Sequence, residues 1–167
     1  MRVCVCTIVH HPEDARILHR QIRALLDAGH DVTYIAPFRA CNVIPWRRVS
    51  PVDVPRAVGR RRLRALRAAH RALREHAPYS DVVLLHDPEL LVGLPRQVRS
   101  RTVVWDVHED TAAALGAKAW VPGPVRPLLR PAVRRLEART ERRHRLLLAE
   151  EGYRARFRMD HPVVPNT

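Results

Sequence analysis

The chain has 167 residues, enough for one domain with a real core and too few for two. Hydrophobic residues make up 46% and aromatics only 5%, which excludes a disordered chain and leaves Val, Leu, Ile and Ala to build the interior. The net charge of +13 is almost all arginine, Lys118 being the only lysine, and it draws the chain toward phosphates, anionic lipid and nucleic acid.

Residues Arg2–Val9 (RVCVCTIV) read as a buried strand. Cys4 and Cys6 lie inside it as small apolar side chains, with Cys41 the only other cysteine. An odd count without framework spacing argues against a disulfide scaffold and fits a reducing compartment. The run is too short and badly flanked for a signal peptide. No apolar stretch approaches the ~20 residues that span a bilayer. The expected location is the cytoplasm. His11–Gly29 follows as a helix, with Leu18, Ile22, Leu25 and Leu26 at helical spacing and Gly29 as its stop. Asp31–Pro37 (DVTYIAP) is the next strand, completing a strand–helix–strand unit of the parallel-sheet kind.

Residues 38–56 are irregular, with expected strands near Val43–Trp46 and Val49–Val54. Ala57–His76 predicts a long helix, Asp81–His86 a strand and Thr102–Val107 another. Between those strands, Asp87-Pro88-Glu89 has the form of a helix start, with Asp as cap and Pro at the first position. Pro122–Pro131 leads into a basic helix running to about His144. After it, Arg145–Ala149 reads as a strand, Glu151–Phe157 as a short helix and Pro162–Val164 as a last strand. Repeated β-α-β units predict an α/β, Rossmann-like, mostly parallel sheet with helices on both faces, in a single domain. The first strand is followed by HHPEDAR in place of G-x-G-x-x-G, so a dinucleotide fingerprint is absent.

Open parallel sheets bind ligands beyond the carboxyl ends of their strands. Three strand ends carry unusual side chains: His10-His11-Pro12-Glu13-Asp14, His86-Asp87-Pro88-Glu89 and Asp106-Val107-His108-Glu109-Asp110. Asp87 and Asp14 have a plain structural reading as helix caps, and Asp106 as a partner inside a hydrogen-bond network. A histidine in each of three such segments predicts one shared ligand site. His86, His108 and Asp110 are metal-capable side chains, but tight H-x-x-x-H or C-x-x-C spacing is missing and no metal is expected. No G-x-S-x-G elbow is present. Arg60, Arg64, Arg67, Arg71 and Arg74 line one face of the 57–76 helix, and Arg134, Arg135, Arg139, Arg142 and Arg143 enrich a later one. These are solvated faces in the plain reading. In the functional reading they give peripheral contact with an anionic membrane surface. Nucleic acid ranks last, for want of an aromatic platform or a known binding module.

The opening HHPEDARILHRQIRALLDAGHDVTYIAP, then VVLLHDPELL, VVWDVHED, KAWVP and the late RRLEARTERRHRLLLAEEGYRARF and PVVPNT together resemble the N-terminal domain of family-4 glycosyltransferases with the GT-B fold. The resemblance covers nearly the whole chain. It implies an acceptor-side domain of an enzyme that moves a sugar from a nucleotide-sugar to a sugar, lipid-linked or natural-product acceptor. It also implies retention of configuration, no bound metal and no cofactor beyond the nucleotide-sugar co-substrate. By position, His108 matches the family's catalytic histidine, and His86, Glu89, Glu109 and Asp110 the acceptor side. His10, His11 and Arg16 fall in the first loop, where many relatives carry glycines that this chain lacks. The resemblance implies a donor-binding C-terminal domain that is not expected within these residues, so the isolated domain is expected to turn over little and to dimerise through the face that meets that domain. A non-catalytic binding or scaffold subunit, and a basic nucleic-acid-binding protein, are the alternative readings.

Overall fold

The structure, a computed structural model, describes residues 1–108 and 126–165, the side chains of 126–130 excepted. The chain divides into two compact units, Met1–Val104 and Trp105–Thr167. Its strands are β1 (Arg2–Cys6), β2 (Asp31–Ala36), β3 (Ser50–Asp53), β4 (Val82–Leu85), β5 (Thr102–Val107) and β6 (Arg145–Leu148). They form one parallel sheet in the order β3-β2-β1-β4-β5-β6, with β5 starting in the first unit and ending in the second. The fold is Rossmann-like, as the alternation of strand and helix predicts.

In the first unit β1 is central. Val3 is level with Val32 of β2 and with Val82 of β4, and Ile35 of β2 is level with Val52 of β3. Asp81 pins the start of β1 through both backbone groups of Arg2. Its carboxylate accepts the Arg2 N–H at 2.8 Å, and its own N–H donates to the Arg2 carbonyl at 2.8 Å. Side chains alternate across the sheet. Val3, Val5, Val32, Tyr34 and Ala36 pack with Ile17, Leu18, Ile22 and Leu26 of the first helix. Cys4, Cys6, Ile35, Val83 and Leu85 are buried as well, so both faces are covered, as a parallel sheet requires. Burial pushes the Cys4 thiol up to about 12 and raises the Cys6 thiol as well, so both stay protonated and act as small hydrophobes.

The first helix, α1, starts with Ala15–Ile22, wound as a π-helix, and finishes with the α-helical Arg23–Asp27. It begins four residues later than the apolar spacing predicts. Asp14 is the reason: its carboxylate accepts the Arg16 and Ile17 N–H groups at 2.9 and 3.1 Å, and its own N–H closes a turn onto His11. At the other end Gly29 has φ +77°, with His30 N–H bonded to Leu25 carbonyl and Gly29 N–H to Leu26 carbonyl. That is a Schellman stop, and it sets the short turn into β2.

α2 (Arg62–His76) buries Ala65, Ala69, Ala72 and Leu73. A 3-10 turn at Gly59–Arg61 precedes it, so the helix starts after the expected Ala57. The expected strand at Val43–Trp46 does not form: Ile44 there is 90% exposed beside Pro45, and the segment pairs with no strand among the described residues. α3 (Arg96–Arg99) is a single turn before β5.

In the second unit α4 (Arg126–Glu141) leads into β6, and Pro131 lies within the helix. The expected short helix is a 3-10 turn at Glu151–Arg156, and the expected last strand is one parallel bridge between Leu148 and Val163. Glu141 holds the closing segment. It accepts the N–H groups of Arg158 and Met159 at 2.7 and 2.8 Å and pairs with His161 Nε2 at 3.1 Å. Burial alone would push its carboxyl up, but the Met159 N–H, the His161 ring and the Arg158 N–H outweigh it and hold the group below its usual range.

Candidate functional site

The strand order reverses between β1 and β4: the chain works outward from β1 through β2 to β3, then returns to place β4 on β1's other side. A crevice opens at the carboxyl ends of two strands at such a point. Both strand ends belong to the first unit, and they bring Thr7–His10 beside His86–Glu89.

Asp87 organises this crevice. It sits where a cap would sit for the 3-10 turn Pro88–Leu91, yet its side chain makes no capping bond. Its carboxylate points back to the loop after β1 instead. It accepts the Ile8 N–H at 2.5 Å, the Val9 N–H at 3.3 Å and the Thr7 hydroxyl at 3.1 Å. The reading of Asp87 as a cap is therefore corrected. A capping carboxylate needs N–H groups from its own next turn, and this one finds better-placed donors some eighty positions earlier in the chain. The carboxylate is 1% exposed, and the two N–H groups and hydroxyl that converge on it compensate its burial.

His10 lies across the same group. Its Nε2 is 3.4 Å from Asp87 Oδ1, and its Nδ1 is 3.9 Å from Asp14 Oδ2. Its side chain keeps 16% of its surface exposed. An imidazole flanked by carboxylates at both ring nitrogens is fixed in orientation, and its protonated form is charge-compensated. Thr7 links the two ends of the turn, with its hydroxyl donating to Asp87 and accepting the His10 N–H at 3.2 Å. Ala57 N–H donates to the Ile8 carbonyl at 2.8 Å and the Arg56 guanidinium to the Val9 carbonyl at 3.4 Å, so the loop is held from its other side as well. Tyr34 supports the next turn by donating its hydroxyl to the Pro12 carbonyl at 3.0 Å.

The remaining expected residues fall in different settings. His86 is buried at 2%, its N–H bonded to the Cys6 carbonyl. His11 is exposed and accepts the Glu13 N–H on its ring. Arg16 is buried within α1 at 6%. Glu89 is half-buried and holds Arg62 at 2.8 Å, while that guanidinium also donates to the Ala57 carbonyl. In the second unit, Asp106 is fully buried and sits 3.3 Å from His108 Nδ1. That pairing favours the tautomer protonated on Nδ1, with Nε2 as the ring's acceptor nitrogen. Tyr153 donates its hydroxyl to the His108 carbonyl at 3.5 Å. Glu109 and Asp110 lie outside the described residues.

Three contributors escape a sequence reading: Thr7, Arg62 and Asp87 in its actual role. Asp87 alone carried a signal, since it directly follows a histidine at the end of a buried strand.

No family model and no curated protein matches the sequence. Among solved structures the chain is similar to an alpha-glucosyltransferase in complex with UDP and a 13-mer DNA containing a central A:G mismatch. The identity is 13% and the TM-score 0.48, and the match covers 90% of this chain. The chain spans 37% of that protein's chain.

Proposed function

We propose that this chain is the acceptor-side domain of a glycosyltransferase that moves a sugar from a nucleotide-sugar to a hydroxyl-bearing acceptor. The sequence motifs around His86 and His108 prompt the reading. The observation that supports it best is at the switch point. The loop N–H groups of Ile8 and Val9, which a nucleotide-binding version of this fold would turn to a phosphate, are taken by the chain's own Asp87 carboxylate. A crevice already filled by an internal anion suits a neutral, hydroxyl-rich ligand better than a diphosphate. In this reading His10 and Glu89 present hydrogen-bonding groups to the acceptor. His108, oriented by Asp106, hydrogen-bonds the transferring sugar and steadies charge developing there. The donor nucleotide is held mainly by a second domain outside these residues, so this chain alone turns over little, and the configuration is retained.

The test is release of free nucleotide by the full gene product against a panel of nucleotide-sugars, beside the same protein with His108→Ala. Release by the parent, reduced on the order of a hundredfold in a still-folded variant, is expected. A well-folded parent that releases nothing with any sugar and acceptor overturns the transferase reading in favour of a binding subunit.

A further inference from the structure

The segment Ala57–His76 contains seven arginines and one carboxylate, Glu75. At about 100° per residue, Arg64, Arg67, Arg71 and Arg74 of α2 fall within a wedge of roughly 80°, about 15 Å long, and Arg60 stands in the 3-10 turn just before the helix. Ala65, Ala69, Ala72 and Leu73 occupy the opposite face and are buried, so packing against the first unit turns the stripe outward. All five arginines are exposed, and none has an ion pair or side-chain hydrogen bond among the described residues. Elsewhere in the same unit arginines find partners: Arg62 holds Glu89, Arg48 holds Asp27 and Arg39 holds Asp53.

This arrangement is unfavourable for an isolated helix. Like charges three and four residues apart repel. The helix also starts with no capping side chain and no acidic residue in its first turn, with Arg61 and Arg62 at the positive end of its dipole. A dense negative surface laid along the stripe relieves the repulsion among its arginines.

We propose that the exposed face of α2 docks the protein on an anionic lipid bilayer surface. The binding is mainly electrostatic and shallow, because the buried face of the helix is already spent on the core. Among the described residues no helix is long and apolar enough to cross a membrane. Lipid fits better than nucleic acid because Val58 and Leu63, 58% and 67% exposed, stand at the amino-terminal end of the stripe. Apolar side chains there gain from a headgroup layer and gain nothing from a phosphodiester backbone. The inference rests on α2 alone and is independent of the transferase reading.

The test is co-sedimentation of the chain with vesicles of phosphatidylcholine alone and of an equal mixture of phosphatidylcholine and phosphatidylglycerol, at low and high salt. The protein is expected to pellet with the mixed vesicles only, and salt is expected to release it. The variant Arg64→Gln, Arg67→Gln, Arg71→Gln, checked for helicity, is expected to bind on the order of a hundredfold more weakly, at roughly fivefold per arginine near the surface. Lysine at the same three positions restores binding. The matched variant Arg134→Gln, Arg135→Gln, Arg139→Gln on α4 stays near the parent. Equal loss from the α4 variant, binding to neutral vesicles, no binding by the parent, or tighter binding to duplex DNA than to the mixed vesicles at the same salt would each overturn the proposal.

Discussion

Asp87 links two segments that are far apart in the chain. Replacing it by alanine strands the Ile8 and Val9 N–H groups in a buried place and removes the partner of His10. A loss of about 2–4 kcal/mol is expected, read as a lower urea midpoint with an unchanged slope. Asn in its place keeps one carbonyl oxygen on the Ile8 N–H and should recover part of that loss. Equal destabilisation by the two variants would show that the backbone bonds are not what the carboxylate contributes. The same residue explains why the β1 loop manages without glycines. Loops that wrap a phosphate need backbone to approach the ligand closely, whereas this one wraps a side chain already fixed at the end of β4.

The helices divide by how they are started and stopped. α1 has a definite start at Asp14 and a definite stop at Gly29. Asp14→Ala is therefore expected to cost about 1 kcal/mol through loss of the cap, visible as a lower midpoint of thermal unfolding followed by circular dichroism. Because Asp14 also faces His10 Nδ1, a loss well beyond that value would point to a second role in holding the imidazole. α2 lacks such a start and relies on the burial of four small and apolar side chains. Its identity as a helix was readable from the spacing of its arginines and alanines. Its first residue was not, because Gly59 at φ +51° and the 3-10 turn after it decide where the regular winding begins.

For the molecule as a whole, the second unit contributes a pH dependence through Glu141. Its folded carboxyl is more acidic than an unfolded glutamate's, so its contribution to stability is complete above about pH 4.3. That contribution disappears as pH falls through the lower folded value. Thermal midpoints measured from neutral pH downward should hold level and then drop in this acidic window. Glu141→Gln should start lower and drop less. A variant that follows the parent's acid profile would assign the loss to other carboxylates. The large positive net charge works in the same direction, since protonating any carboxylate adds to the self-repulsion of an already basic chain.

Much of the architecture was determined by the sequence on its own. The bounds of β5 agree at both ends with the apolar run Thr102–Val107, and β1, β2, β4 and β6 fall inside their expected spans, because a strand buried on both faces must be written as a continuous hydrophobic stretch. The same local grammar placed Gly29 as a stop and put histidines at the carboxyl ends of strands. Only the tertiary structure decided what those side chains do. The order in which strands lie across the sheet is not a local property, and it is this order that sets β4 beside β1. From that neighbourhood come the Asp87 grip on the β1 loop, the Asp87 carboxylate at Nε2 of His10, and the bond from the His86 N–H to the Cys6 carbonyl. A cap motif such as Asp-Pro-Glu describes what a carboxylate can do within its own turn. Where buried donors from a distant segment lie closer and are otherwise unpaired, the cost of leaving them unsatisfied outweighs the local preference.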